Sequence, residues 1–189
     1  DRKGFIDLAE LEEVIEKYHD EISFISIMHS NNEVGTLQDI AQVVKMARDI
    51  PVHSDCVQSF GKVDLSFKKL GLTAATISAH KIGGPLGVAA LILKKGLDIE
   101  PILHGGGQER DIRSGTFNTP GITAFAAAAT DAVENRRERE LKVRELKKEL
   151  IQTIKKNVSD IVVNADQEKS LPGILSITFP KTDSEGLLL

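Results

Sequence analysis

Ala74-Ala75-Thr76-Ile77-Ser78-Ala79-His80-Lys81 is an apolar run that gives way abruptly to a polar quartet ending in lysine. A short run from Leu72 to Ile77 with polar residues directly behind it is the signature of a buried strand opening onto a ligand-facing edge. Working outward, Gly83-Gly84-Pro85-Leu86-Gly87 is a turn by composition, and Val88 to Leu93 is a further buried strand. Upstream, Pro51-Val52 begins a strand that ends at His53-Ser54-Asp55, and Phe24-Ile25-Ser26-Ile27-Met28 reads as a strand buried on both faces. Between them, residues 39–49 repeat with helical spacing, Ser66 to Leu70 make a helical turn, and Asp7-Leu8-Ala9-Glu10 resembles a capping box opening a helix to about Tyr18. Strands alternating with helices predict an α/β fold with a mostly parallel sheet. In such a sheet the carboxyl ends of the strands share one edge. Three polar clusters therefore converge there: His29-Ser30-Asn31-Asn32-Glu33, His53-Ser54-Asp55 and Ser78-Ala79-His80-Lys81.

Composition excludes several classes of function. The 189 residues carry a net charge of −4, so nothing in the balance recruits nucleic acid or an anionic membrane. No apolar run approaches the roughly 18 residues of a membrane span. One cysteine, Cys56, rules out an intrachain disulfide and a cysteine zinc cluster, and fits a reducing cytoplasm. His29, His53 and His104 lack metal-ligand spacing, so no metal is expected. The opening turn and the closing Leu187-Leu188-Leu189 read as an internal fragment of a longer chain. Beyond a glycine-rich polar loop at residues 104–116, a small-residue segment leads into a densely charged stretch. There Val143, Leu146, Leu150 and Ile154 recur at helical spacing, which predicts one long amphipathic helix with a solvated charged face. Residues 161–163 and 174–179 are strands of a second unit, so the chain divides into a large domain over 1–133 and the start of a smaller α+β domain over 134–189.

The chemistry at the sheet edge follows from residue types. A lysine on a rigid scaffold can form an imine, and an aspartate can hold a protonated ring nitrogen. Together, Lys81 and Asp55 suggest pyridoxal phosphate. Gln58 can donate to the ring's phenolic oxygen, while Ser78 and His80 offer donors to a phosphate. Asn32 can bond the cofactor or a substrate carboxylate, although asparagine in turns is usually structural. Gly105 to Gly107 allow backbone N–H groups to approach an anion, and Arg113 and Thr116 add donors. Cys56 follows Asp55 directly, and a small buried residue describes it better than a nucleophile.

Met28-His29-Ser30-Asn31-Asn32-Glu33-Val34-Gly35, His53-Ser54-Asp55-x-x-Gln58-Ser59, Ser78-Ala79-His80-Lys81-Ile82-x-Gly84-Pro85-x-Gly87 and His104-Gly-Gly-Gly-Gln-Glu-Arg-x-x-Arg113-Ser-Gly-Thr116 resemble the cysteine desulfurases of the NifS/IscS group. These are class V members of the fold-type I pyridoxal phosphate enzymes, with a three-layer large domain and a smaller C-terminal domain. The Glu-Arg-x-x-Arg-Ser-Gly-Thr segment favours this group over the SufS-type desulfurases and selenocysteine lyases. The resemblance implies that Lys81 is the imine-forming lysine, Asp55 the ring-nitrogen partner and Gln58 the donor to the phenolic oxygen. It places Ser78 and His80 on the phosphate, Asn32 near cofactor and substrate carboxylate, and Thr116 on the phosphate of the other subunit of a homodimer.

The implied reaction turns L-cysteine into L-alanine and passes the sulfur through an enzyme persulfide to a protein acceptor, as in iron–sulfur cluster assembly. The mobile cysteine and the carboxylate-gripping arginine of that family fall outside this sequence, as do an N-terminal threonine and ring-stacking histidine. No desulfurase activity is therefore expected of the isolated chain. Another class V enzyme, aminotransferase-like or selenocysteine lyase-like, stays open, as does a non-enzymatic dimerisation or binding platform. A phosphate-ligand sensor fits the glycines but leaves Lys81 with Asp55 unexplained.

Overall fold

The computed structural model describes residue 1 and residues 3–188. Its chain order is α1 (Leu8–Tyr18), β1 (Ile25–Met28), α2 (Ile40–Ala47), β2 (Val52–Asp55), α3 (Phe67–Leu70), β3 (Ala74–Ser78) and β4 (Ala89–Leu93), then α4 (Thr119–Glu134), α5 (Arg136–Asn157), β5 (Val162–Val163), β6 (Ile177–Thr178) and α6 (Ser184–Leu188). The main sheet runs β1-β2-β3-β4, and β5 pairs with β6 in a separate two-stranded sheet. β1, β2 and β3 are parallel, each joined to the next by a crossover carrying a helix. β4 is antiparallel to β3, because the short Gly83–Gly87 turn leaves no room for the crossover that a parallel neighbour requires.

Local signals account for the helices of this layer. Asp7 accepts from the Ala9 and Glu10 amides, so it caps α1 alone; Glu10 takes part through its backbone. Asp39 caps α2 and Ser66 caps α3 in the same way. α2 turns Ile40, Val43, Met46 and Ala47 inward, and α1 contributes Ile15. These meet Ile25, Val52, Cys56, Leu72, Ala75 and Ile77 in one core that continues through Ala79 and Val88 to Phe125 of α4.

The strand registers divide the sheet into two unlike faces. Ile25, Val52, Ser54, Ala75 and Ile77 point into the core, whereas their alternates Ser26, His53, Asp55 and Thr76 lie half-buried or exposed on the opposite face. The apolar run of β1 predicts burial on both sides, but Phe24 is 62% exposed and Ser26 is exposed, since the packed core covers one face only. On the open face, His53 Nδ1 is 2.9 Å from Ser26 Oγ and its Nε2 is 2.8 Å from Thr76 Oγ1, a polar rung across three strands.

The long helix expected over the charged stretch is α5, and the small-residue segment ahead of it forms a helix of its own, α4; the two meet at Asn135, whose amide bonds back to Asp131 and Val133. Ser170 and Leu171 return to the first half: Leu37 N–H donates to Lys169 O, and Leu171 N–H to Gly35 O. Lys147 of α5 fastens this segment by donating to Ser170 Oγ at 3.0 Å and Leu171 O at 3.1 Å. Among the described residues, no helix is long and apolar enough to cross a membrane.

Candidate functional site

The parallel registers bring the polar clusters to one edge as their sequence positions require. Met28 pairs with Asp55 and Asp55 with Thr76, and the His29 N–H donates to Asp55 O at 2.8 Å. Asp55 shares a sheet face with Thr76, and Ser78 lies one alternation further along that face. Ser78 is buried, its Oγ 2.7 Å from His80 Nδ1, so hydroxyl and imidazole form one unit at the mouth of β3. A 3-10 turn over Ala79–Ile82 then swings His80 and Lys81 outward, both exposed. That turn closes on Gly83 at φ 84°, a left-handed position that glycine takes without strain.

Asp55 is half-buried, and one of its oxygens accepts from Val57 N–H at 2.9 Å, capping the turn that carries Gln58. Its other oxygen has no hydrogen bond among the described residues. The two asparagines of the Asn31-Asn32 pair divide the work. Asn31 Oδ1 accepts from the Glu33 and Val34 amides and holds the turn, while Asn32 is exposed with its side chain uncommitted. Cys56 is fully buried, and burial pushes its thiol above the ordinary range. Thr116 lies exposed on the 104–116 loop, where side-chain hydrogen bonds run within the loop, from Gly107 N–H to Ser114 Oγ and from Gly115 N–H to Gln108 Oε1.

Two features escaped the sequence reading. His29 and Ser30, immediately past β1, are buried with His29 Nδ1 and Ser30 Oγ lacking any hydrogen-bond partner. Burial lowers the His29 pKa, so the ring is held neutral. The apolar strand ahead of them signals the burial, but nothing local signals the missing partners.

The second feature is Lys62. Gly61, at φ 71°, presses against α4 so closely that an added Cβ would stand 2.7 Å from Ala132 Cβ. This approach places Lys62 beside Lys81 on a cavity of about 370 Å³ walled by α4, α5 and the 171–174 segment. Burial, and then the neighbouring Lys81 charge, lower the Lys62 pKa. Lys81 thus stands between two surroundings, the strand-end cluster of Asp55, Ser78 and His80 and this cavity, which those three residues do not line.

The family described as aminotransferase class-V matches residues 1–189. The chain is 38% identical to an IscS-like cysteine desulfurase of Mycobacterium tuberculosis over 98% of its own length and 48% of that protein. It is 37% identical to the cysteine desulfurase IscS of Dictyoglomus turgidum over its full length and 48% of that protein. A NifS-like protein from Rickettsia africae superposes with a TM-score of 0.91 at 38% identity, covering 98% of this chain and 52% of that one. The chain spans about half the length of the curated relatives it matches.

Proposed function

The chain belongs to the aminotransferase class-V family, and from that premise we propose that it is the cofactor-binding portion of a cytoplasmic, pyridoxal phosphate-dependent cysteine desulfurase. The observation that carries this reading is the meeting of Asp55, the Ser78–His80 pair and Lys81 at the ends of adjacent parallel strands. The donor set suits the cofactor. It offers a carboxylate with one uncommitted oxygen, a primary amine on a rigid turn and a hydroxyl–imidazole unit.

Bound there, pyridoxal phosphate supplies an aldehyde that condenses with amines and a ring that withdraws electrons from the substrate α-carbon. Asp55 keeps a proton on the ring nitrogen, and the Gln58 amide donates to the phenolic oxygen. Ser78 and His80 hold the phosphate. Lys81 Nζ fixes the cofactor at rest and then moves the proton at Cα of L-cysteine. Asn32, free of the turn that Asn31 maintains, orients the substrate carboxylate. L-alanine leaves, and the sulfur passes through an enzyme persulfide to a protein acceptor. Cys56 does not carry that persulfide, because its thiol is buried and kept protonated.

The same reading makes the protein a homodimer in which Thr116 reaches the phosphate of the partner copy. In support, Thr116 is flanked by exposed apolar side chains on its own loop region, with Ile102 92%, Leu103 55% and Phe117 49% exposed. We divide the chain into 1–133 and 134–189, the boundary falling in the last turn of α4, just ahead of the helix break on Asn135.

Borohydride reduction after incubation with pyridoxal phosphate, followed by peptide mass mapping, tests the reading. Lys62 is the internal control, since it stands beside Lys81 and burial lowers its pKa. Modification confined to Lys81 is expected. Labelling that favours Lys62, or that scatters over many lysines, would overturn the assignment.

A further inference from the structure

The cavity between Lys62 and Lys81 has a charge imbalance that the cofactor reading leaves unused. Four charged side chains border it: Lys62, Lys81, Arg139 and Glu140. Two of them are already neutralised. Arg139 is 2.8 Å from Asp131, and Glu140 accepts from Arg136 at 3.1 Å and Arg144 at 3.0 Å. Lys62 and Lys81 have no carboxylate within 4.0 Å among the described residues, and Lys62 is half-buried. Lys62 therefore borders a partly desolvated space with a second, exposed lysine beside it and no counter-ion, an arrangement that an anion relieves.

The walls indicate which anion. Ile82, Val143, Leu171 and Ile174 give the cavity an apolar lining, and the hydroxyl–imidazole pair that suits a phosphate, Ser78 with His80, does not reach it. About 370 Å³ is the size of a small-molecule pocket. We propose that this cavity is a binding site for a small aliphatic carboxylate, with Lys62 as the principal anion-binding group and Ile82, Leu171 and Ile174 receiving the aliphatic part. The proposal stands on the cavity and on Lys62, whether or not Lys81 carries a cofactor.

The geometry explains how so unfavourable a pair is held together. Gly61 packs on Ala132 and fixes the backbone of the adjoining Lys62, whose N–H donates to Ser59 O at 3.0 Å. Lys147 ties the 170–171 segment to α5 and keeps the apolar wall opposite. Lys62 is not free to move its charge far into solvent without giving up the packing of its aliphatic stem, whereas Lys81 is exposed.

Sodium propionate is the probe, added at constant ionic strength to the chain carrying carbon-13 at its lysine Cε positions, with the Lys62 resonance assigned by its loss in Lys62→Met. Propionate is expected to shift that resonance and to raise the midpoint of Lys62 titration, because an opposite charge favours the ammonium form. Lys62→Met is expected to weaken propionate binding about tenfold or more, as loss of one charge-assisted hydrogen bond implies, and Lys62→Arg to retain most of it. An unmoved Lys62 resonance, or an equal response to ethylammonium, would overturn the site. Inorganic phosphate binding more tightly than propionate through Lys62 would overturn the carboxylate assignment. Lys81 labelled by the cofactor beside an unmoved Lys62 refutes this inference alone, and a moved Lys62 beside unlabelled Lys81 refutes the cofactor reading alone. Should Lys62→Met fail to fold, the Lys62→Arg variant and the wild-type titration still decide the question.

Discussion

Asp55 has two tasks in this structure, and one substitution separates them. Its Oδ1 caps the turn through Val57 N–H, and its carboxylate charge is what the proposed ring nitrogen requires. Asp55→Asn keeps an oxygen in place for the cap while removing the charge, so it is expected to leave the thermal midpoint nearly unchanged. Asp55→Ala loses the cap as well, at about 1 kcal/mol and roughly 2–4 °C for a chain of this size. Both variants are expected to reduce cofactor labelling of Lys81 about tenfold or more, the scale of a lost hydrogen-bonded charge. Labelling retained in Asp55→Asn would remove Asp55 from the site. That Asp55, Ser78, His80 and Lys81 were legible in sequence follows from their place directly behind apolar runs, where strand periodicity stops. Lys62 was not legible, because its surroundings are made by α4, α5 and residues 171–174, all distant in sequence.

Whole elements were legible where the chain carries its own punctuation. Asp7 is read as a cap and is one, while Asp39 and Ser66, read as the first residues of their helices, are the caps just ahead of them. Asn135 is weaker punctuation: charged residues of good helix propensity continue past it, and its side chain makes no cap to α5. The seat of α4 gives a test at the level of the helix. Gly61 and Gly83 both adopt positive φ, 71° and 84°, but an added Cβ at Gly61 meets Ala132 at 2.7 Å, whereas at Gly83 nothing lies within 4 Å. Gly83→Ala is therefore expected to cost only the left-handed backbone, about 1–2 kcal/mol. Gly61→Ala adds an overpacking cost of about 1–3 kcal/mol as α4 is driven off. Urea unfolding of the two variants compares them directly. Equal losses would show that α4 does not seat on the Gly61 turn.

On the scale of the whole molecule, two histidines pull the pH dependence of stability in opposite directions. His29 is buried past β1 with no charged partner, and burial lowers its pKa below 6.5. The unfolded chain therefore takes up a proton there that the folded chain resists, and stability falls as pH drops from about 6.5 toward the folded value. His19 joins the end of α1 to the end of α2 through Asp20 at 3.2 Å and Asp49 at 2.9 Å. These hydrogen bonds, the one to Asp20 foremost, raise its pKa above 6.5. Its contribution is complete below pH 6.5 and disappears as pH rises through the folded value. Being exposed, the His19 pair is screened and weak, whereas the desolvation of His29 is not relieved by water. His29 is accordingly expected to dominate, with urea midpoints rising between about pH 5.5 and about pH 8. His29→Gln, which cannot take up a proton, should flatten that rise. His19→Gln should steepen it, since it removes the contribution that opposes it. A chain whose stability falls over this interval, or whose slope is unchanged by His29→Gln, would mean that the ring at the end of β1 is not sealed from water, and that the buried edge on which the candidate site is built opens in solution.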